Sequence, residues 1–202
     1  MRKLTTYSFT VIFLIISATV FAQTRKDVPD YLSVPGPIQF DNQTYNLNWS
    51  SHPAPNFYKQ EYLAKGDIAD RCKTMILMDV VTGQQDVKSI VAAKINELKK
   101  MKEANPLIDY EAIQNPATGE YMIDFLLTAN GNDGSISIVE RNVYRYKVFT
   151  DKLGIKGVLL FGISVRGYGG DVNKFFTSLK INRKDLLNKG SQLKMPELTI
   201  KK

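Results

Sequence analysis

The side chains that most often carry enzyme chemistry are scarce in this sequence, which contains one histidine, His52, and one cysteine, Cys72. A Ser-His-Asp or Cys-His site would have to use His52, which lies in the proline-rich segment SSHPAP with no nucleophile motif beside it. A zinc site usually uses several histidine or cysteine ligands, and one residue of each type is too few to form it. We therefore predict an exposed loop position for His52, a small-core-residue role for Cys72, and no metal or other cofactor.

Paired carboxylates can perform acid–base chemistry without histidine or metal. Asp109 and Glu111 are two residues apart in a predicted strand and would share one face of it. Asp124 and Glu140 are predicted to meet across neighbouring strands. These four residues support an alternative function, a carboxylate-dependent periplasmic or secreted hydrolase, although carboxylates on the open side of a sheet also serve simply to keep it soluble.

The segment ERNVYRYK is the best candidate for a binding surface. In a regular strand, Arg141 and Arg145 lie on one face and Tyr144 lies on the other. Arginine and tyrosine can bind an anionic ligand or a partner, but alternating polar and aromatic residues are equally typical of a half-exposed sheet. Arg166 and Tyr168, near the glycine-rich loop that follows, complete a set of five predicted ligand or partner contacts. No catalytic residue is predicted.

The stretch LLFGISVRGYGGD has the strand–glycine–helix order of a phosphate-binding loop. A Walker A loop would need lysine and a hydroxyl residue where Tyr168 and Gly169 follow Gly167, and a dinucleotide fingerprint would need a glycine at Val172. Both interpretations fail at the residues that carry the mechanism. The stretch is therefore predicted to be a strand-to-helix joint with Asp171 as the helix N-cap.

Residues 1–22 are predicted to be a secretory signal peptide. A short basic start precedes an apolar run over 9–22, which is shorter than the roughly 20 residues needed to span a bilayer. Val20 and Ala22 suit the −3 and −1 positions of a cleavage site. The mature chain would begin at Gln23 and be exported, either periplasmic or secreted, without stable membrane insertion. An uncleaved membrane anchor is the alternative.

The net charge of +7 lies mostly at the two ends of the chain, and residues 23–182 hold 19 basic and 18 acidic residues. A nucleic-acid surface needs a dense basic face on the folded domain. Nucleic acid is therefore not predicted as a partner.

Periodicity and turn residues predict the order of elements. IQFDNQTYNLNW forms a β-hairpin, and FYKQEYLAKG and TMILMDVV are two further strands. The clearest helix is DVKSIVAAKINELKKMKEA, with Asp86 as its N-cap. Four antiparallel strands with NPATGE and NGNDG as turns follow, and a second helix begins in VNKFFTSLKI.

This order predicts an α+β protein, an antiparallel β-sheet meander packed by two helices. Residues 38–182 would form a single domain. An extended lead-in over 23–37 would precede it, and a basic, poorly ordered tail over 183–202 would follow.

The element order resembles that of the PsbP-like fold. The shared features are the opening hairpin FDNQTYNLNW, the mid-chain helix and the closing helix with paired aromatic residues, VNKFFTSLKI. The resemblance covers about residues 38–181 and implies an α/β/α sandwich with a non-enzymatic binding or assembly role. Cystatin-like and nuclear-transport-factor-2-like folds also place helices on a curved sheet, but their main helices usually come earlier in the chain.

Together these observations predict an exported, non-catalytic binding or assembly protein of the cell envelope. Its partner would be another envelope protein or a small ligand. An inhibitor or immunity-type protein would differ only in the partner.

Overall fold

A computed structural model describes residues 28–201, and in this part of the chain one antiparallel sheet of eight strands carries three α-helices. The strands are β1 (Ile38–Phe40), β2 (Gln43–Ala54), β3 (Phe57–Ala64), β4 (Thr74–Thr82), β5 (Asp109–Gln114), β6 (Tyr121–Asn130), β7 (Ile136–Thr150) and β8 (Lys156–Tyr168). The helices are α1 (Val87–Ala104), α2 (Val172–Ile181) and α3 (Asp185–Gln192). The predicted signal peptide lies outside the described residues.

Across the sheet the strands follow the order β1-β2-β3-β4-β8-β7-β6-β5. Strand β8, the last strand along the sequence, therefore lies inside the sheet, between β4 and β7. Within residues 28–201, no helix is long and apolar enough to cross a membrane.

The predicted sandwich of a meander packed by two helices was wrong. The sheet is a curled half-barrel, and its central strands β7 and β8 are 15 and 13 residues long. Long strands twist and coil, so a sheet of this size does not lie flat between two layers of helices. Helix α1 covers β5, β6 and β7 on one face, while α2 and α3 lie against β7 and β8 on the other. Each helix therefore covers only part of the sheet.

Helix α1 forms where its sequence predicts it. The carboxylate of Asp86 accepts hydrogen bonds from the amides of Lys88 at 3.2 Å and Ser89 at 3.1 Å, which confirms the N-cap. The apolar stripe of the helix packs on the sheet, where it forms a core cluster with Ile123, Phe125, Tyr146 and Val158.

The two chain ends, rather than helices, cover much of the opposite face. Apolar residues of the lead-in and of the tail are buried together in one core cluster: Leu32, Val34, Met195, Leu198 and Ile200. The amides of Thr199 and Lys201 donate to the carbonyls of Leu32 at 2.9 Å and Tyr31 at 2.8 Å. The prediction of a poorly ordered tail was therefore wrong, because the spaced apolar residues in KMPELTIKK are buried against the sheet.

A buried glutamine fixes the lead-in. Gln60 Oε1 accepts a hydrogen bond from the amide of Leu32 at 2.9 Å, and its Nε2 donates to the carbonyl of Val34 at 3.3 Å. The hydroxyl of Tyr62 donates to the same carbonyl at 2.7 Å. Buried polar groups need such partners, so this network holds the lead-in in one position.

His52 is exposed, as predicted, but it lies in a strand rather than in a loop. Strand β2 continues through Pro53 to Ala54 with an irregular register there, and the imidazole stacks on Tyr58 with ring centroids 4.1 Å apart. Strand β1 pairs only with the start of β2. Pro53 is tolerated because this part of β2 is a sheet edge, where no ladder amide is required.

The glycine-rich joint is a short 3₁₀ turn over Gly169–Asp171 that leads from β8 into α2. Asp171 occupies the predicted N-cap position of α2, but its side chain makes no capping hydrogen bond. Its backbone is already helical, whereas a capping side chain needs an extended backbone to reach the free amides. Cys72 is fully buried with Leu63 and Met75, which confirms its predicted core role.

Candidate functional site

The five predicted contact residues divide between the two faces of the sheet. The register between β7 and β8 is regular, so the predicted alternation along ERNVYRYK holds. Arg141 and Arg145 lie on the face that carries α2 and α3. Tyr144, Arg166 and Tyr168 lie on the face that carries α1. The five residues therefore do not form one surface.

Arg141 is buried and connects β6 and β7 to the end of α2. Its guanidinium donates two hydrogen bonds to the Asp124 carboxylate, at 2.9 and 2.6 Å, and a third to the carbonyl of Arg183, which follows α2. Arg183 lies in the short link between α2, which ends at Ile181, and α3, which begins at Asp185. Arg141 thus ties the C-terminal end of α2 to the sheet.

Arg145 does the same for α3. Its Nη1 donates to the carbonyls of Gly190 at 3.1 Å and Leu193 at 2.7 Å, at the C-terminal end of that helix. Its Nη2 donates to the Glu120 carboxylate at 3.1 Å. Two arginines four residues apart on β7 therefore hold the ends of two successive helices.

Arg166 repeats the arrangement on the opposite face. It pairs with Glu140 on β7, and its Nη1 donates to the carbonyl of Ala69, in the segment between β3 and β4, at 2.9 Å. The hydroxyl of Tyr168 donates to the carbonyl of Cys72 in the same segment at 3.1 Å. Arg166 and Tyr168 therefore anchor this segment to the sheet.

Tyr144 belongs to the core cluster beneath α1. Its ring meets that of Phe125 edge to face, with centroids 4.8 Å apart, and burial raises the pKa of its hydroxyl. Each of the three predicted arginines is likewise occupied, because it forms an ion pair with a carboxylate and donates a hydrogen bond to a main-chain carbonyl. An incoming anion would have to displace that carboxylate, so these side chains support the fold instead of offering a free contact.

Two adjoining cavities lie between α2 and the elements beside it, and we call them together the α2 cleft. The first, about 240 Å³, lies between β5 and α2, and the second, about 420 Å³, lies between α2, α3 and the β1–β2 hairpin. Arg141 and Leu179 line both cavities. Apolar side chains in the lining include Phe40, Leu126, Val165, Phe175, Phe176 and Leu186.

Three of the four carboxylates of the alternative hydrolase line the first cavity: Asp109, Glu111 and Asp124. Glu140 does not, because β6 and β7 pair in a register that places it on the opposite face from Asp124. The expected meeting of Asp124 and Glu140 was therefore wrong. In the part of the chain that the structure covers, no three His, Cys, Asp or Glu side chains are grouped to hold a metal ion.

The environment of Asp109 favours its ionised form. The hydrogen bond from Lys102, 3.0 Å long, lowers the pKa of Asp109, and Arg141 holds Asp124 by two hydrogen bonds. A carboxylate pair that cleaves glycosidic bonds needs one acid with a raised pKa. Asp109 therefore supplies negative charge to the cavity but no proton donor at neutral pH.

An ion-pair bridge closes one side of the second cavity. Lys189 on α3 lies 2.8 Å from Asp41 in the β1–β2 turn and 2.9 Å from Asp185. Hydrogen bonds to Asp41 and Asp185 raise the pKa of Lys189, so this ammonium group stays charged at neutral pH. The floor behind it contains the buried aromatic rings of Phe40 and Tyr45.

The apolar lining of the cleft was not predicted, because the apolar residues of VNKFFTSLKI were interpreted only as evidence for a second helix. Only Val172 of this helix is fully buried, and Phe175, Phe176 and Leu179 are half-buried. The available signal was the concentration of three large apolar residues on a helix of ten residues. Such a short helix on a curled sheet cannot bury all of them.

Fold and cleft together define a curled antiparallel-sheet protein whose last two helices border a cleft lined by both apolar and polar side chains. A protein-family model matches residues 32–195, about four fifths of the chain, and the chain belongs to that family. The match spans every strand and helix described above and assigns no reaction. No curated protein and no solved structure matches the chain significantly.

Proposed function

We propose that the protein is exported and acts as a non-catalytic binding or assembly protein of the cell envelope, with the α2 cleft as its binding site. The observation that supports this most is the contrast within the cleft. The buried charges, Arg141 and Asp124, are paired with each other, while Phe176 and Leu179 remain half-exposed.

The chemistry of the cleft suits an apolar group with a polar end. Sites for small ligands are mostly apolar with a few polar groups, in cavities of roughly 300–1,000 Å³, and the second cavity of about 420 Å³ falls in this range. Burying the half-exposed side chains of α2 would contribute about 25 cal/mol per Å² of apolar surface. The partner is thus either a small amphipathic ligand or an apolar side chain of another envelope protein.

Replacing Leu179 with glutamine tests the role of the cleft. Leu179 lines both cavities, so Leu179→Gln is expected to reduce recovery of the bound ligand or partner roughly tenfold. The measurement is native mass spectrometry and quantitative pull-down of the protein from the envelope fraction of cells that express it. Loss of the apolar contact is the physical reason for the effect.

Thr177→Gln is the matched control, since Thr177 is exposed on the same helix and lines neither cavity. This variant should bind as the wild type does, and both variants should keep the wild-type helix signal in circular dichroism. Undiminished recovery with Leu179→Gln, or an equal loss with Thr177→Gln, would refute the assignment of the cleft.

A further inference from the structure

The single tryptophan of the chain, Trp49, faces Glu61 across the β2–β3 ladder, where the two residues are direct register partners. Direct partners in an antiparallel ladder have Cβ atoms about 5 Å apart and share one face of the sheet. This face continues through Leu77 of β4, Gly162 of β8 and Tyr144 of β7. Helix α1 lies over β5–β7, so Trp49 and Glu61 stay outside the area it covers.

Glu61 differs from the other carboxylates that are withdrawn from solvent. Among residues 28–201, seven Asp or Glu side chains are buried or half-buried. Six of them have partners: Asp30 with Lys201, Asp79 with Lys59, Glu120 with Arg145, Asp124 with Arg141, Glu140 with Arg166, and Asp151 with three backbone amides. Within the described residues, Glu61 has neither an ion pair nor a side-chain hydrogen bond.

A half-buried charge without a partner is costly, and burial raises the pKa of Glu61 accordingly. The nearest cation on its own strand, Lys59, is 3.3 Å from Asp79 and is thereby occupied. Arg166, the other cation that acts on Glu61, is paired with Glu140. The positive and negative charges around Glu61 cancel in pairs, and the remaining charge of this patch is that of Glu61 itself.

The aromatic partner adds a second reason for a cation to bind here. Trp49 is 42% exposed, which leaves part of the indole open to solvent. A cation over an indole face is attracted by the ring quadrupole when it lies within about 6 Å of the centroid. A cationic group between the Trp49 indole and the Glu61 carboxylate would be attracted by both. Leu77, the register partner of Glu61 on β4, offers an apolar surface to the hydrocarbon part of such a ligand.

We propose that Trp49 and Glu61 form a binding site for a monovalent organic cation, an alkylammonium or guanidinium group. The site lies on the face opposite the α2 cleft and is independent of the function proposed for it. The cation is carried either by a free small amine or by a lysine or arginine side chain of a partner. Anions are excluded by the charge of Glu61, and neutral molecules gain nothing from it.

Tryptophan fluorescence measures binding at this site directly, because Trp49 is the single tryptophan of the sequence. The purified full-length protein is titrated at constant ionic strength with choline, with its neutral isostere 3,3-dimethylbutan-1-ol, and with the blocked amino acids N-acetyl-lysinamide and N-acetyl-argininamide. We expect a saturable change in Trp49 emission with at least one cation, in the millimolar range, and no saturation with the neutral alcohol.

Glu61→Gln should weaken that binding roughly tenfold by removing the charge. Glu197→Gln, which changes an exposed carboxylate in the tail on the opposite face, should leave it unchanged, and thermal unfolding verifies that both variants are folded. Saturation by choline identifies a free amine as the source, and saturation by the blocked amino acids alone identifies a partner's side chain. Absence of saturation with every cation, equal binding of the neutral alcohol, or unchanged binding by Glu61→Gln would overturn the proposal.

Discussion

Replacing Asp124 with alanine is expected to lower the free energy of unfolding by about 3–5 kcal/mol. The substitution leaves the guanidinium of Arg141 buried without its counter-ion, since the two side chains are only 7% and 13% exposed. It also frees the guanidinium from the position in which it holds the carbonyl of Arg183. Thermal unfolding of the purified protein measures the loss, which corresponds to about 10 °C for a domain of this size.

A double-mutant cycle separates the pair from the loss of each side chain. Because the double variant Asp124→Ala with Arg141→Met leaves no charge unpaired, it should be less destabilised than the sum of the single variants. Lys102→Met is the control, as it breaks the exposed Lys102–Asp109 pair, 3.0 Å long, and should cost under about 1 kcal/mol. If Asp124→Ala costs no more than this control, Arg141 does not anchor α2.

Replacing Asp151 with alanine is expected to release the C-terminal tail and to cost about 3 kcal/mol. Asp151 Oδ1 accepts hydrogen bonds from the amides of Leu153 at 2.9 Å and Ile155 at 2.8 Å, and Oδ2 accepts one from the amide of Ile200 at 3.0 Å. The last bond joins the tail to the turn between β7 and β8. Hydrogen exchange of the Ile200 amide should accelerate in the variant, and the melting temperature should fall.

The same residue sets a pH dependence. Burial raises the pKa of Asp151, but the three amide hydrogen bonds outweigh it, so the pKa lies below its ordinary value. Its contribution is therefore complete above the unfolded pKa of about 3.9 and is lost as pH falls through the lower folded pKa. Stability of the wild type should decrease in that acidic range, whereas the Asp151→Ala variant should lack this component.

Glu197→Ala is the control for the tail, because Glu197 is exposed and its carboxylate is 3.9 Å from the exposed Lys152. It should leave the exchange of the Ile200 amide unchanged. Wild-type exchange rates in Asp151→Ala would show that Asp151 does not hold the tail.

Local structure was predictable here because its signals lie within short segments. The hairpin over β1 and β2 and helix α1 follow from turn residues and periodicity, and Asp86 caps α1 as its sequence predicts. The fold class was wrong because it depends on strand length and curl. The continuation of β2 through Pro53 and the packing of the tail through Ile200 both depend on contacts with distant residues.

The candidate site shows the same limit. Alternation along β7 correctly placed Arg141 and Arg145 on one face and Tyr144 on the other. Their partners could not be predicted, because Asp124 and the carbonyls of α2 and α3 reach these arginines only in the folded sheet. The resemblance to the PsbP-like family and the export of the chain remain predictions.

The most direct test of the account is a contact measured at the α2 cleft itself. A photo-crosslinking phenylalanine analogue replaces Lys180, which lines the first cavity, or Thr177 on the outer side of the same helix. Cells that express each variant are irradiated, and adducts in the envelope fraction are identified by mass. If the α2 cleft is the binding site, one defined adduct forms from position 180 and none from position 177. Equal adducts from both positions, or none from position 180, would contradict it.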